Sequence, residues 1–192
     1  MGIVKRPEHV KLVFFVFGSY IEYWIEELKP LFSSLYGTMD YMSEILEFDT
    51  FTHYYNSEMG ADVKGCLISF QRLIHPFQLA DIKRNTNEIE MKYAVEGKRK
   101  FNIDPGYISP GNFVLASTKY WGNRIYLKKG IYAEVTLLYL RGSFYPWEMT
   151  YPNYKNEKYI ANLNTIRGIY MKQRRREKIN EVRNENIRVS QK

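Results

Sequence analysis

Lys11-Leu12-Val13-Phe14-Phe15-Val16-Phe17 reads as one continuous apolar run, the pattern of a central strand covered on both faces. Gly18 breaks the run, and Ser19 with Glu22 has the spacing of a capping box, so a helix is expected to start there. Ile21, Trp24, Ile25, Leu28, Leu31, Phe32 and Leu35 then recur at helical spacing and make one apolar face. Pro30 lacks the donor for the helical ladder and should kink or split this helix, which Gly37 ends.

Working outward, residues 38–48 alternate imperfectly and read as a half-exposed strand. Residues 49–60 (DTFTHYYNSEMG) form a polar, aromatic loop of the kind that carries function in many folds. His53 in that loop is either a solvated side chain or a titratable group worth testing. Residues 63–73 are a second strand, ending at His75-Pro76. Pro76 suits the first turn of a helix. Leu79, Ile82, Thr86, Ile89 and Tyr93 continue it, Gly97 closes it, and Lys83, Arg84, Asn87 and Glu90 are expected on its solvated face.

The next stretch pivots on Asn102-Ile103-Asp104-Pro105-Gly106-Tyr107, where Pro105-Gly106 is a turn signal. Strands are expected at 112–117, 124–127, 132–141 and 143–147, with Arg141-Gly142 marking a hairpin. A last helix from about residue 157 carries Ile160, Leu163, Ile166 and Tyr170 as its apolar stripe. The order strand, helix, strand, strand, helix matches the start of a split, ferredoxin-like unit. The expected fold is therefore α+β: a mostly antiparallel sheet with helices packed on one face, extended by C-terminal hairpins and a final helix. One domain over residues 1–172 and a basic helical tail over 173–192 are expected.

A chain of 192 residues with 45% hydrophobic content can bury a real core. The net charge of +7 is uneven, because residues 172–192 carry eight Lys/Arg against three Glu and leave the body near +2. The one cysteine, Cys66, excludes an internal disulfide framework and reads as a buried, inert thiol. The apolar run near the start is too short for a membrane span or secretory signal. A cytoplasmic protein without membrane association is the expectation.

His9, His53 and His75 lie far apart in sequence and, with one cysteine, show no zinc spacing, so no metal site is expected from them. Phosphate-contacting candidates are Arg72, Thr118, Lys119 and Arg124, since a guanidinium fork matches phosphate oxygens. Asp104 either caps its own turn or orients a sugar hydroxyl or a metal. Glu134, flanked by Ala133 and Val135 in an apolar strand, either pairs with Arg124 or Lys119 or belongs to a site, because an unpaired buried carboxylate is costly. Asp104 and Glu134 are thus the best catalytic candidates, and either could hold a magnesium ion together with substrate phosphates. Asn102 and Tyr107 complete the candidate ligand-binding set.

Several segments resemble a known family: Thr52-x-Tyr54-Tyr55-x-x-Glu58-Met59-Gly60, Ile68-Ser69-Phe70-x-Arg72-Leu73-Ile74, and the stretch 102–107. Ala116-Ser117-Thr118-Lys119, Arg124-Ile125-Tyr126-Leu127, residues 130–137 and Thr150-Tyr151-Pro152 do so too. Together they are similar to the uncharacterised prokaryotic family named domain of unknown function 4416, over roughly residues 10–172. The resemblance implies a single bacterial or archaeal domain and no particular reaction. Some members carry an automatic GTP-binding label, but this chain has no G-x-x-x-x-G-K-[ST] loop. The family pattern commonly has an acid where this chain has Asn153 and a histidine where it has Asn123, so an acid–base role does not carry over to those positions.

Two functions are expected from this. In the first, a pocket walled by residues 102–107 and 49–60 binds a phosphorylated small molecule or nucleotide. In the second, the protein is a non-catalytic RNA-associated or adaptor protein that uses Lys172-Gln173-Arg174-Arg175-Arg176-Glu177-Lys178.

Overall fold

The structure, a computed structural model, describes residues 2–190; at residue 178 and from 180 onward it describes the backbone alone. The apolar run forms strand β1 (Val10–Gly18), buried along its whole length. Its side chains alternate between two cores. Leu12, Phe14 and Val16 face one cluster, while Val13, Phe15 and Phe17 face the other. A strand loaded on both faces can only sit mid-sheet. It does so, pairing antiparallel with β4 (Lys64–Ile74) on one side and β5 (Phe101–Ile108) on the other.

Helix α1 (Ile21–Tyr36) follows β1 and runs unbroken through Pro30. The capping box expected at Ser19 does not form. The residue before the helix is Tyr20 in a left-handed conformation, and the Ser19 hydroxyl donates instead to the Ala61 carbonyl at 2.7 Å. The strand expected over 38–48 is two pieces, β2 (Met39–Met42) and β3 (Leu46–Glu47), both paired with β4. A short helix, α2 (Asn56–Met59), interrupts the loop that follows. Helix α3 (Leu79–Lys92) opens after a single 3-10 turn at Pro76–Gln78. It stops at Lys92, short of Gly97, which sits in the turn closed by the Val95–Lys98 bridge.

The sheet order β2-β4-β1-β5 is that of a ferredoxin-like unit. As expected, α1 and α3 pack on one face of it, against Phe14, Phe70 and Phe101. The sheet then continues through β6 (Asn112–Ser117), β8 (Ile131–Leu140) and β7 (Arg124–Lys128), with β9 (Ser143–Pro146) also pairing β8. All its pairings are antiparallel. Arg141 and Gly142, both at positive φ, make the expected two-residue hairpin between β8 and β9. The fold is α+β.

The turn expected at Pro105-Gly106 is absent, and the wall expected there is a strand. Residues 101–108 pair with β1 along its length, with Pro105 opposite Phe14 and Asp104 opposite Phe15. Gly106 is not supplying a positive φ. A Cβ there would lie 2.5 Å from the Val114 carbonyl oxygen, so glycine permits β6 to approach. Pairing with β6 begins only at Gly106 and leaves Pro105 just outside it, where a missing N–H costs no ladder bond to β6.

Helix α4 (Glu157–Ser190) lays Tyr159, Leu163, Ile166 and Tyr170 over the face carrying Val13 and Phe15. Its hold on the body extends to the first residues of the expected tail. Gln173 donates to the Gln71 carbonyl and accepts from Lys11, each at 2.8 Å, and Arg174 pairs with Glu8. The side chains of Lys178 and residues 180–190, and all of residues 191–192, lie outside the described residues, so most of the basic tail does too. Among the described residues no helix is long and apolar enough to cross a membrane.

Candidate functional site

A cavity of about 780 Å³ opens beside Phe15, Asp104 and Leu115, next to where the pairing of β5 with β6 stops at Gly106 and Leu115, within the range of small-molecule sites. Residues 51–58 form one wall, α3 a second, the β6–β7 connection a third, and the segment 151–154 a fourth. Phe15, Phe48, Phe51, Tyr55 and Tyr154 give it an aromatic part, and the rest of its lining is mostly polar.

Its polar side is built around Arg99. The guanidinium grips Glu58 with two N–H groups at 2.6 and 2.8 Å, and donates to Glu90 at 2.8 Å and to the side-chain amide oxygen of Asn102 at 2.6 Å. Such a fork on a carboxylate is the geometry arginine is best suited to. It holds the Glu58 carboxyl below the ordinary range and raises the arginine's own pKa, so the pair stays ionised. Glu90, 2% exposed, also accepts the Ile103 N–H at 2.9 Å, yet burial pushes its carboxyl upward.

Asp104 stands next in line. One carboxylate oxygen accepts from Asn102 at 2.8 Å and from Lys83 at 3.2 Å, and Lys83 also donates to the Ile103 carbonyl at 2.9 Å. The other oxygen takes no protein donor among the described residues, and the side chain is 32% exposed, on the cavity. The Tyr154 hydroxyl, within electrostatic reach of Asp104, is buried without a hydrogen-bond partner among the described residues. Burial raises the pKa of Tyr55, Tyr151 and Tyr154, so all three remain protonated and able to donate.

Across the cavity Arg124 and Glu134 face each other in register on β7 and β8 and pair at 2.8 Å, almost wholly buried. Arg124 also donates to the Lys119 carbonyl at 2.8 Å and to the Tyr151 hydroxyl. Lys119 itself pairs with no carboxylate among the described residues. Its ammonium lies 4.8 Å from the Tyr54 ring centre and 3.4 Å from that ring's hydroxyl.

Of the eight residues expected at the site, the fold brings six to this cavity: Asn102, Asp104, Thr118, Lys119, Arg124 and Glu134. Two are elsewhere. Arg72 is exposed beside Gly37, donating to the Leu35 carbonyl at 3.3 Å, because its strand position points to the far end of α1. Tyr107 packs between the core clusters, opposite Leu12 and Val114. His53 is exposed near Asn56 and lines no wall.

Sequence reasoning missed Glu58, Lys83, Glu90 and Arg99. Lys83 and Glu90, expected on a solvated helix face, are 5% and 2% exposed. Their seven-residue spacing, with Asn87 between, was a signal of a shared polar stripe aimed inward. His9 and His75 do approach, with ring centres 6.1 Å apart. Among the described residues, however, no three His, Cys, Asp or Glu gather to hold a metal ion.

No curated protein and no solved structure matches the chain. Residues 8–170 match the model of one family, so the chain belongs to the family described as Domain of unknown function (DUF4416).

Proposed function

We propose that the cavity binds a phosphorylated small molecule of the nucleotide type, with its ring and sugar inside and its phosphate at the rim. The observation that carries this reading is the pair of unmet polar atoms at the floor. Asp104 offers one carboxylate oxygen, and the Tyr154 hydroxyl is buried without a partner. An unsatisfied buried hydroxyl costs about 1–3 kcal/mol, a cost that a bound sugar or ring edge relieves. The aromatic part of the lining suits a planar ring, and Lys119 with the Ser117-Thr118 segment supplies the rim. We take the protein to be prokaryotic and cytoplasmic, in keeping with its single buried free thiol.

A thermal-shift panel of nucleosides, nucleotides and sugar phosphates, with and without magnesium, tests the reading, because a ligand that binds only the folded state raises its melting point. One class should stabilise the wild type and fail to stabilise Asp104→Asn at equal far-ultraviolet circular dichroism. A flat panel would defeat the proposal. Of the tail's described cations, Arg174 is already paired with Glu8, and no observation favours the RNA-binding reading.

A further inference from the structure

The cavity wall carries four carboxylates, Glu58, Glu90, Asp104 and Glu134, and four cations, Lys83, Arg99, Lys119 and Arg124. Three of the cations are already committed. Arg99 holds Glu58, Glu90 and Asn102; Arg124 holds Glu134, Tyr151 and a carbonyl; Lys83 holds Asp104 and a carbonyl. Lys83 and Arg124 are also 6% and 7% exposed at the side chain, so neither can turn outward without uncovering its partner. Drawing Arg124 or Arg99 onto a ligand would strand Glu134 or Glu90, each about 3% exposed, as an uncompensated buried charge. That leaves Lys119, exposed at the rim and, among the described residues, held only by the face and hydroxyl of Tyr54.

From this charge balance we infer that the ligand of the proposed site carries a single anionic group, a monophosphate and not a di- or triphosphate. The inference rests on the nucleotide-type reading above and narrows it. Lys119 takes the phosphate, and Asp104 and Tyr154 take the neutral part. A polyphosphate would bring several charges to a wall with one uncommitted cation. Magnesium would not resolve the mismatch from the protein side. Glu58 and Glu90 have both oxygens occupied, Glu134 is bound to Arg124 and Thr136, and Asp104 has one oxygen to give.

Isothermal titration calorimetry tests this, with adenosine and guanosine and their mono-, di- and triphosphates, plus ribose 5-phosphate, on wild type and Lys119→Ala. Lys119 is exposed, so its truncation leaves the fold intact. The monophosphate should bind about tenfold more tightly than the matching nucleoside, as for one charge-assisted contact. Further phosphates should add nothing, and Lys119→Ala should bring the monophosphate down to the nucleoside's affinity. Tighter binding of a di- or triphosphate would overturn the inference while leaving the ligand site standing. A monophosphate advantage that survives in Lys119→Ala would overturn the assignment of Lys119. No binding by any compound would defeat both the inference and the reading beneath it.

Discussion

Both ends of strand β1 adjoin a buried ionic network, and the two networks differ in what they leave over. At one end Lys11, fully buried, pairs with Asp40, whose other oxygen accepts from Ser69 at 2.7 Å, while Gln173 of α4 closes over the lysine. Burial lowers the lysine's pKa, Asp40 pulls it back up, and Lys11, Asp40, Ser69 and Gln173 each have a hydrogen-bond partner. At the other end, six residues along β5, Asn102 and Asp104 belong to a network as dense. There, among the described residues, one Asp104 carboxylate oxygen on the cavity takes no protein donor and the hydroxyl of Tyr154, a cavity-lining residue, is buried without a hydrogen-bond partner. The same chemistry fastens a helix in the first case and presents hydrogen-bonding capacity in the second. Unmet capacity, more than buried charge as such, separates a candidate site from a structural ion pair.

The largest way to break the comparison is at the cavity pair Arg124–Glu134, whose side chains are both nearly buried. Arg124→Ala strands Glu134 and should cost about 3–5 kcal/mol, read by urea unfolding. A loss that large makes this variant a poor probe of binding. Lys11→Met keeps a four-atom unbranched stem, loses the ammonium, and leaves Asp40, 19% exposed, with Ser69 and water. It should cost about 1–3 kcal/mol and leave ligand binding unchanged, which a binding titration checks.

A smaller effect, and one that depends on pH, is expected at Glu58. Its carboxyl lies below the ordinary value of 4.5 because Arg99 holds the ionised form. Folding therefore favours the anion. The contribution is complete above about pH 4.5 and is lost as pH falls through the depressed folded value. Wild type should exceed Glu58→Gln in stability at neutral pH, with the gap closing in acid. Glu90, raised by burial, works in the opposite direction in both proteins. A gap that widens in acid would contradict the Arg99–Glu58 assignment. Asp104→Asn should be the mildest for stability, under about 1 kcal/mol, because its partners Lys83 and Asn102 can still donate to an amide oxygen.

Much of the fold was legible because the strongest signals are periodic. The stripes of α1 and α4 follow from helical spacing, the doubly buried β1 from an unbroken apolar run, and the hairpin from the Arg141-Gly142 pair. The error at Pro105-Gly106 has a physical cause. Proline and glycine also occur where a strand loses a partner or where two backbones crowd, and sequence does not separate those uses from a turn. Likewise, the pairing of Arg124 with Glu134 was among the alternatives open from sequence, whereas the Arg99 hub was not. Arg99 joins Glu58, Glu90 and Asn102 from three separate elements, and no local spacing encodes such a meeting.

The most direct test of the account compares Asp104→Asn with Lys11→Met in one experiment, the thermal midpoint of each with and without saturating nucleoside monophosphate. Lys11→Met should melt earlier than wild type yet gain the full ligand-induced rise. Asp104→Asn should start near the wild-type midpoint and gain little or nothing. If Asp104→Asn gains the full rise, or if Lys11→Met is the variant that loses it, the cavity beside Asp104 is not the binding site.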